Sequence, residues 1–163
     1  MLNRRNLTLA GLALALAPAA LRRSRANPAG QKFEITKTDA QWRSELTPAQ
    51  YDVLRKHGTE RPGSSPLDKT YAPGEYRCAG CGLPLFSSET KYDSRTGWPS
   101  FYAPLDNAVG SSTDYELIYP RTEIHCRRCG GHLGHVFDDG PPPTGKRYCM
   151  NGIALTFIPK PAP

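Results

Sequence analysis

Cys126-Arg-Arg-Cys129-Gly-Gly-His132-Leu-Gly-His135-Val-Phe137 opens with a Cys-x-x-Cys knuckle, and the same spacing occurs upstream at Cys78-Ala-Gly-Cys81. A glycine follows each knuckle, Gly82 and Gly130, where it lets the backbone turn so that amides face the sulfurs. Two such pairs can converge on one tetrahedral four-thiolate site, the geometry a structural zinc ion prefers. The 44 residues between Cys81 and Cys126 are more than a compact ribbon uses. That separation suits a metal clamping two distant hairpins of one larger domain. Two disulfides, which an exported protein admits, and a redox-active Cys-x-x-Cys compete with this reading. The doubling of the knuckle favours the metal. A closed four-cysteine site has no open coordination position, so its ion stabilises the fold and stays out of catalysis.

Around the knuckles the pattern is β. Beyond Gly74, short runs such as Asp114–Tyr119, Glu123–Cys126, Lys146–Met150 and Ile153–Ile158 are bounded by Pro and Gly. Ahead of them stand two helix starts with capping-box spacing, Thr38-Asp-Ala-Gln41 and Thr47-Pro-Ala-Gln50, the second with Pro48 at the first helical position. Leu46 and Tyr51 are spaced as a hydrophobic staple, and this helix is expected to reach His57 and stop at Gly58. Glu60–Pro73 is rich in Pro, Gly and Ser and reads as a loop. With 16 Pro and 15 Gly in 163 residues and no internal repeat, the chain reads as one small, mainly antiparallel β domain behind one or two helices.

The first 26 residues stand apart. Arg4-Arg5 lead into the apolar run Leu7–Ala20, whose 14 residues are too few to span a bilayer and match a signal h-region. The paired arginines, the weak hydrophobicity and the basic stretch that follows resemble a twin-arginine export signal. Residues 1–26 are therefore expected to be a cleaved signal peptide, 27–36 a linker and 37–163 the functional domain, located in the bacterial periplasm. This segment also holds Arg4, Arg5, Arg22, Arg23 and Arg25 and no acid, so most of the net charge of +6 belongs to it. The rest carries 16 basic and 15 acidic residues. A balance so near neutral argues against a nucleic-acid partner.

Cys149 is the fifth cysteine, and an unpaired thiol in an exported protein needs an explanation. Most free cysteines are buried apolar fillers. In Lys146-Arg-Tyr-Cys-Met-Asn-Gly152, however, Arg147, Cys149 and Asn151 recur every second residue and would share one face of a strand. A guanidinium beside the sulfur favours the reactive thiolate, and an amide beside it can donate to a polar substrate atom.

Taken with Gly97-Trp-Pro-Ser-Phe101, Cys129-Gly-Gly-His-Leu-Gly-His-Val-Phe-Asp-Asp-Gly140 and Arg147-Tyr-Cys-Met-Asn-Gly152, the knuckles closely resemble the B-type methionine sulfoxide reductases, which act on the R epimer. The resemblance covers roughly Phe33 to Pro159. It implies a mainly β fold of two antiparallel sheets, with short peripheral N-terminal helices and zinc opposite the active site. It implies Cys149 as nucleophile, with His132, His135 and Asn151 holding and protonating the sulfoxide oxygen. Trp98 would receive the substrate's methyl group, Arg147 would hold the thiolate, and Phe137 and Asp139 would complete the substrate site, Asp139 by orienting a histidine. Cys78, Cys81, Cys126 and Cys129 would bind one zinc ion, with no organic cofactor. The substrate would be oxidised, methionine sulfoxide-containing proteins or peptides, and the product a sulfenic acid on the enzyme.

The sequence departs from the family at one position. Where many members carry a resolving cysteine, Thr96 stands here, which implies reduction of Cys149 directly by a small thiol or thioredoxin-like protein. Trp98 read alone is equally a core or lid aromatic, and His132 and His135 alone are equally surface loop histidines or, with Cys126 and Cys129, an alternative zinc set. His57 and His125 carry no motif. Two rivals explain less: a zinc-ribbon binding module leaves Cys149 and Trp98 idle, and a thiol–disulfide oxidoreductase needs a βαβ context that is missing.

Overall fold

The computed structural model describes residues 32–115 and 119–161. The expected signal peptide, 1–26, and residues 27–31 of the linker lie outside the described residues. Two helices come first, α1 (Asp39–Glu45) and α2 (Pro48–Lys56). Both start as their sequences require. Thr38 and Thr47 accept from the backbone N–H of Gln41 and Gln50, and each glutamine side chain returns to the cap N–H. The end of α2 differs from expectation. It closes at Lys56, and His57 itself takes the left-handed position (φ 58) expected of Gly58. Gly58 serves differently: a Cβ there would lie 2.3 Å from the Asp52 carboxylate.

Among the described residues nine strands follow: β1 (Gly74–Cys78), β2 (Pro84–Ser87), β3 (Lys91–Tyr92), β4 (Ser100–Phe101), β5 (Val109–Asp114), β6 (Arg121–Cys126), β7 (His132–Phe137), β8 (Arg147–Met150) and β9 (Leu155–Pro159). They form two antiparallel sheets, ordered β2-β1-β9 and β3-β4-β8-β7-β6-β5. The mainly β, two-sheet fold with short N-terminal helices is therefore the one present. Among the described residues, no helix is long and apolar enough to cross a membrane.

The strand expected over Asp114–Tyr119 falls partly outside the described residues; the strand described there is β5, which pairs from Val109↔Cys126 to Asp114↔Arg121. Tyr115 and Tyr119 lie beyond the ladder, 75% and 61% exposed, and 116–118 fall outside the described residues. The strand β7 was not legible as a strand, because it carries two histidines and Gly134 where branched residues are usual.

Aromatic rings bridge the two sheets. Phe86 of β2 stacks on Phe101 of β4 at 4.3 Å, while Tyr76 of β1 meets Phe101 at 4.9 Å and Phe157 of β9 at 5.0 Å. Each such pair contributes about 0.5–1.5 kcal/mol beyond its area burial. On the other side of this core, Trp42, Val53 and Leu54 of the helices are buried. Leu54 reaches both knuckles, since a Cβ on Gly131 would lie 2.9 Å from it and one on Gly80 would lie 3.5 Å away. Arg55 seals the contact by donating to the carbonyl of Cys129 at 3.1 Å.

Candidate active site

Cys78 ends β1 and Cys126 ends β6, so the four knuckle sulfurs join one sheet to the other. Both turns close as the glycines allow: Gly82 (φ 72) donates to Cys78 O at 2.8 Å and Gly130 (φ 67) to Cys126 O at 2.9 Å. The four Sγ atoms lie within 4.8 Å of one another, as ligands around a single ion do. Cys78 and Cys129 approach to 3.7 Å and Cys81 and Cys126 to 3.5 Å, and none is in a disulfide. Hydrogen bonds between the sulfurs push the Cys78 and Cys129 thiols up and pull Cys81 and Cys126 down. Such a set cannot ionise fully in a buried place unless a cation replaces the protons it shares. The disulfide reading finds no support here, and a metal site does.

Cys149 lies in the middle of the larger sheet. Reading directly across the strands gives one row: Tyr92 (β3), Ser100 (β4), Cys149 (β8), His135 (β7), Glu123 (β6) and Ser112 (β5). Residues directly opposite one another stand on the same face. The row therefore places a thiol between a serine and a histidine. The Cys149 Sγ lies 3.8 Å from Thr96 Oγ1, in the turn before β4. Burial pushes its thiol up, opposed by hydrogen bonding from Thr96 and Ser100 and by the Arg147 charge. Burial prevails over the guanidinium, so the thiol lies above its ordinary value. Gly134, next to His135, is required for this register, because a Cβ there would sit 2.1 Å from the Cys149 carbonyl oxygen.

Two carboxylates hold the histidines. His135 Nε2 bonds Asp114 Oδ2 at 2.8 Å, and Asp114 also takes Arg121 Nη2 at 2.6 Å. Burial lowers the His135 pKa against the raising effect of Asp114. His132 Nδ1 bonds Glu123 Oε1 at 2.8 Å, His57 Nδ1 reaches the same oxygen at 3.0 Å, and Ser112 donates to Oε2 at 2.5 Å. Burial alone would raise the Glu123 carboxyl, but these three bonds outweigh it and hold it far below the usual carboxylate range. His132 Nε2, on the opposite side of the ring, is buried without a hydrogen-bond partner. It is a polar atom left for a ligand or water.

Asp139 does not orient a histidine. Both its oxygens pair with Arg147, at 2.8 Å each, because the β7–β8 register brings the two together just beyond Phe137↔Arg147. Arg147 also lies over the Phe137 ring at 4.4 Å. Asn151 has left the strand, since β8 ends at Met150, so the shared strand face expected for Arg147, Cys149 and Asn151 stops at Cys149. Asn151 is buried instead, with Nδ2 donating to Leu133 O at 3.1 Å and Oδ1 accepting from Glu60 N at 3.0 Å. Trp98 is half-buried, outside the core cluster, with Nε1 donating to Glu60 O at 3.2 Å.

Sequence reading did not single out Asp114, Glu123, Glu60, Ser100 or His57. An acid within the strand-like run Glu123–Cys126 was the one available signal, but its partners come from other strands and from His57 at the end of α2. His125 is buried against Phe33 at 5.7 Å and burial lowers its pKa. A partly buried thiol flanked by hydroxyls and a guanidinium, beside carboxylate-held imidazoles, combines a nucleophile with groups able to move a proton.

The SelR domain model matches residues 46–159. The peptide methionine sulfoxide reductase MsrB of Thiobacillus denitrificans is 59% identical over 125 residues, covering 76% of this chain and 95% of that protein. The protein of that name from Agrobacterium fabrum is 54% identical over 127 residues, 77% of this chain and 94% of its own. The one from Methanosarcina barkeri is 52% identical over 124 residues, 76% and 87% respectively.

Proposed function

Because the chain belongs to the SelR-domain methionine sulfoxide reductases, we propose that it reduces methionine (R)-sulfoxide, preferably in peptides, to methionine with Cys149 as its nucleophile. The observation that carries this reading is the row in which Cys149 stands beside His135, away from the four clustered cysteines. As a protein-repair enzyme in the oxidative stress response, it would meet its substrate in oxidised proteins.

The Cys149 thiol gives up its proton on substrate binding, and the sulfur attacks the sulfoxide sulfur. The oxygen, hydrogen-bonded or protonated by His135, His132 and the second Nδ2 hydrogen of Asn151, passes to cysteine. Sulfoxide and thiol thus become thioether and sulfenic acid, with two electrons moving from the cysteine sulfur to the methionine sulfur. The ring of Trp98 offers a flat apolar wall to the methyl group. Arg147, fixed by Asp139 and Phe137, supports the thiolate as it forms. An external thiol then condenses with the sulfenic acid, releasing water, and a second thiol frees Cys149 as a disulfide leaves. Thr96 beside the sulfur offers no resolving thiol, which supports regeneration by a small thiol or thioredoxin-like protein.

For the metal, the four sulfurs fit zinc: Zn–S bonds near 2.3 Å in a tetrahedron set edges of about 3.8 Å, close to the 3.5 and 3.7 Å separations. Cys78, Cys81, Cys126 and Cys129 would hold it, and its contribution is to tie the sheets. Export to the periplasm through residues 1–26 rests on their sequence alone.

The test uses purified protein with dithiothreitol and a peptide containing methionine (R)-sulfoxide. Wild type turns over, and Cys149→Ser does not, while zinc stays at one per chain. Activity that survives Cys149→Ser refutes the mechanism.

A further inference from the structure

Glu60 lies in the loop before β1, and four of its hydrogen bonds run to Trp98, Asn151 and the turn that follows Asn151. Its carbonyl oxygen accepts Trp98 Nε1–H at 3.2 Å, and its own N–H donates to Asn151 Oδ1 at 3.0 Å. Its carboxylate accepts the backbone N–H groups of Gly152 and, at 3.1 Å, of Ile153. These two N–H groups open the 3-10 turn Gly152–Ala154, whose N-cap is Asn151. A residue such as asparagine usually caps with its own side chain, yet Asn151 makes no side-chain cap bond. Glu60 does that work in its place. The Asn151 amide is thereby left to donate to Leu133 O.

The loop is pressed tightly into position. A Cβ on Gly152 would lie 2.1 Å from Ser65 Oγ, and Gly63 N donates to Gly97 O at 2.7 Å. Trp98 is therefore held by the loop both through its ring and through the peptide before it. Cys149 is held separately, by the ladders to β4 and β7, and none of the bonds made by Glu60 reaches the thiol.

We propose that Glu60 is a positioning residue that sets the separation of Trp98 and Asn151, the proposed methyl wall and oxygen donor, without tuning Cys149. This rests on the functional reading above. It predicts that loss of Glu60 affects substrate fit before it affects the nucleophile.

Two variants of the full chain, Glu60→Ala and Glu60→Gln, test it. The chain has two tryptophans, so nitrogen-15 spectra report two indole N–H signals. The Trp98 indole and the Asn151 side-chain amide are expected to move in both variants, while the Trp42 indole stays in place. KM for a methionine sulfoxide peptide should rise about tenfold in Glu60→Ala and less in Glu60→Gln, with kcat within about threefold. The pH profile of Cys149 alkylation should be unchanged. Unmoved signals with an unchanged KM overturn the proposal, as does a loss of kcat and of the alkylation profile together with KM. If wild type fails to reduce methionine sulfoxide, the functional reading falls, and the two signals still decide the role of Glu60.

Discussion

Replacing Thr96 by cysteine should convert a cycle that depends on an outside thiol into one that resolves itself. The Thr96 hydroxyl lies 3.8 Å from the Cys149 sulfur, and a disulfide needs about 2.05 Å, so a new thiol must close roughly 1.8 Å. Thr96 sits in a turn between Arg95 (φ 59) and Gly97 (φ 86), outside any strand, so no ladder opposes that movement. Well-placed neighbouring groups reach effective molarities of about 10⁵ M or more, so even a pair a thousandfold poorer outcompetes dithiothreitol at about 10 mM by roughly 10⁴-fold. The assay is a single turnover with one equivalent of methionine sulfoxide, quenched with dimedone and read by mass spectrometry of the Cys149 peptide. Wild type should yield the dimedone adduct of a sulfenic acid and lose one thiol. Thr96→Cys should yield a 96–149 disulfide, lose two thiols and show almost no adduct. An adduct as abundant in the variant as in wild type would refute the geometry, and a stoichiometric Cys149 disulfide in wild type would refute the one-cysteine cycle.

Glu123→Gln removes a buried charge that three donors share, and should destabilise the protein by about 3 kcal/mol at neutral pH, measured by urea unfolding. Because the folded carboxyl lies below its unfolded value, that contribution is present above about pH 4.3 and is lost as pH falls toward the folded pKa. The gap between wild type and variant should narrow over that interval, and a gap independent of pH would exclude the ionised state. For Cys149, burial implies an alkylation midpoint above that of an ordinary thiol in the resting protein. Thr96→Val, which removes an opposing hydrogen bond, should move the midpoint higher still, and a midpoint below the ordinary value would show that Arg147 outweighs burial.

Local signals in the chain were sufficient for local structure. Capping boxes at Thr38 and Thr47 define the helix starts because the bonds they make span three residues. The knuckles announce a metal site for the same reason: each pair of sulfurs and its following glycine form one short turn. The cysteine left over, Cys149, drew attention through composition, and the family motifs named the histidines and Trp98 around it. Tertiary structure decided what those side chains touch. Cross-strand register placed Cys149 between Ser100 and His135, and a bulge between Ile124 and His125 accompanies the turn of His132 toward Glu123. Pairing also set β5 at Val109–Asp114, and gave Asp139 to Arg147 rather than to a histidine. Neither Glu60 nor Glu123 has a motif, since their partners lie 91 residues away at Asn151 and 9 residues away across a hairpin at His132. A sequence records which groups are available. Which of them meet is determined by strand register and burial, where desolvation makes every unpaired charge costly and so selects the pairs that form.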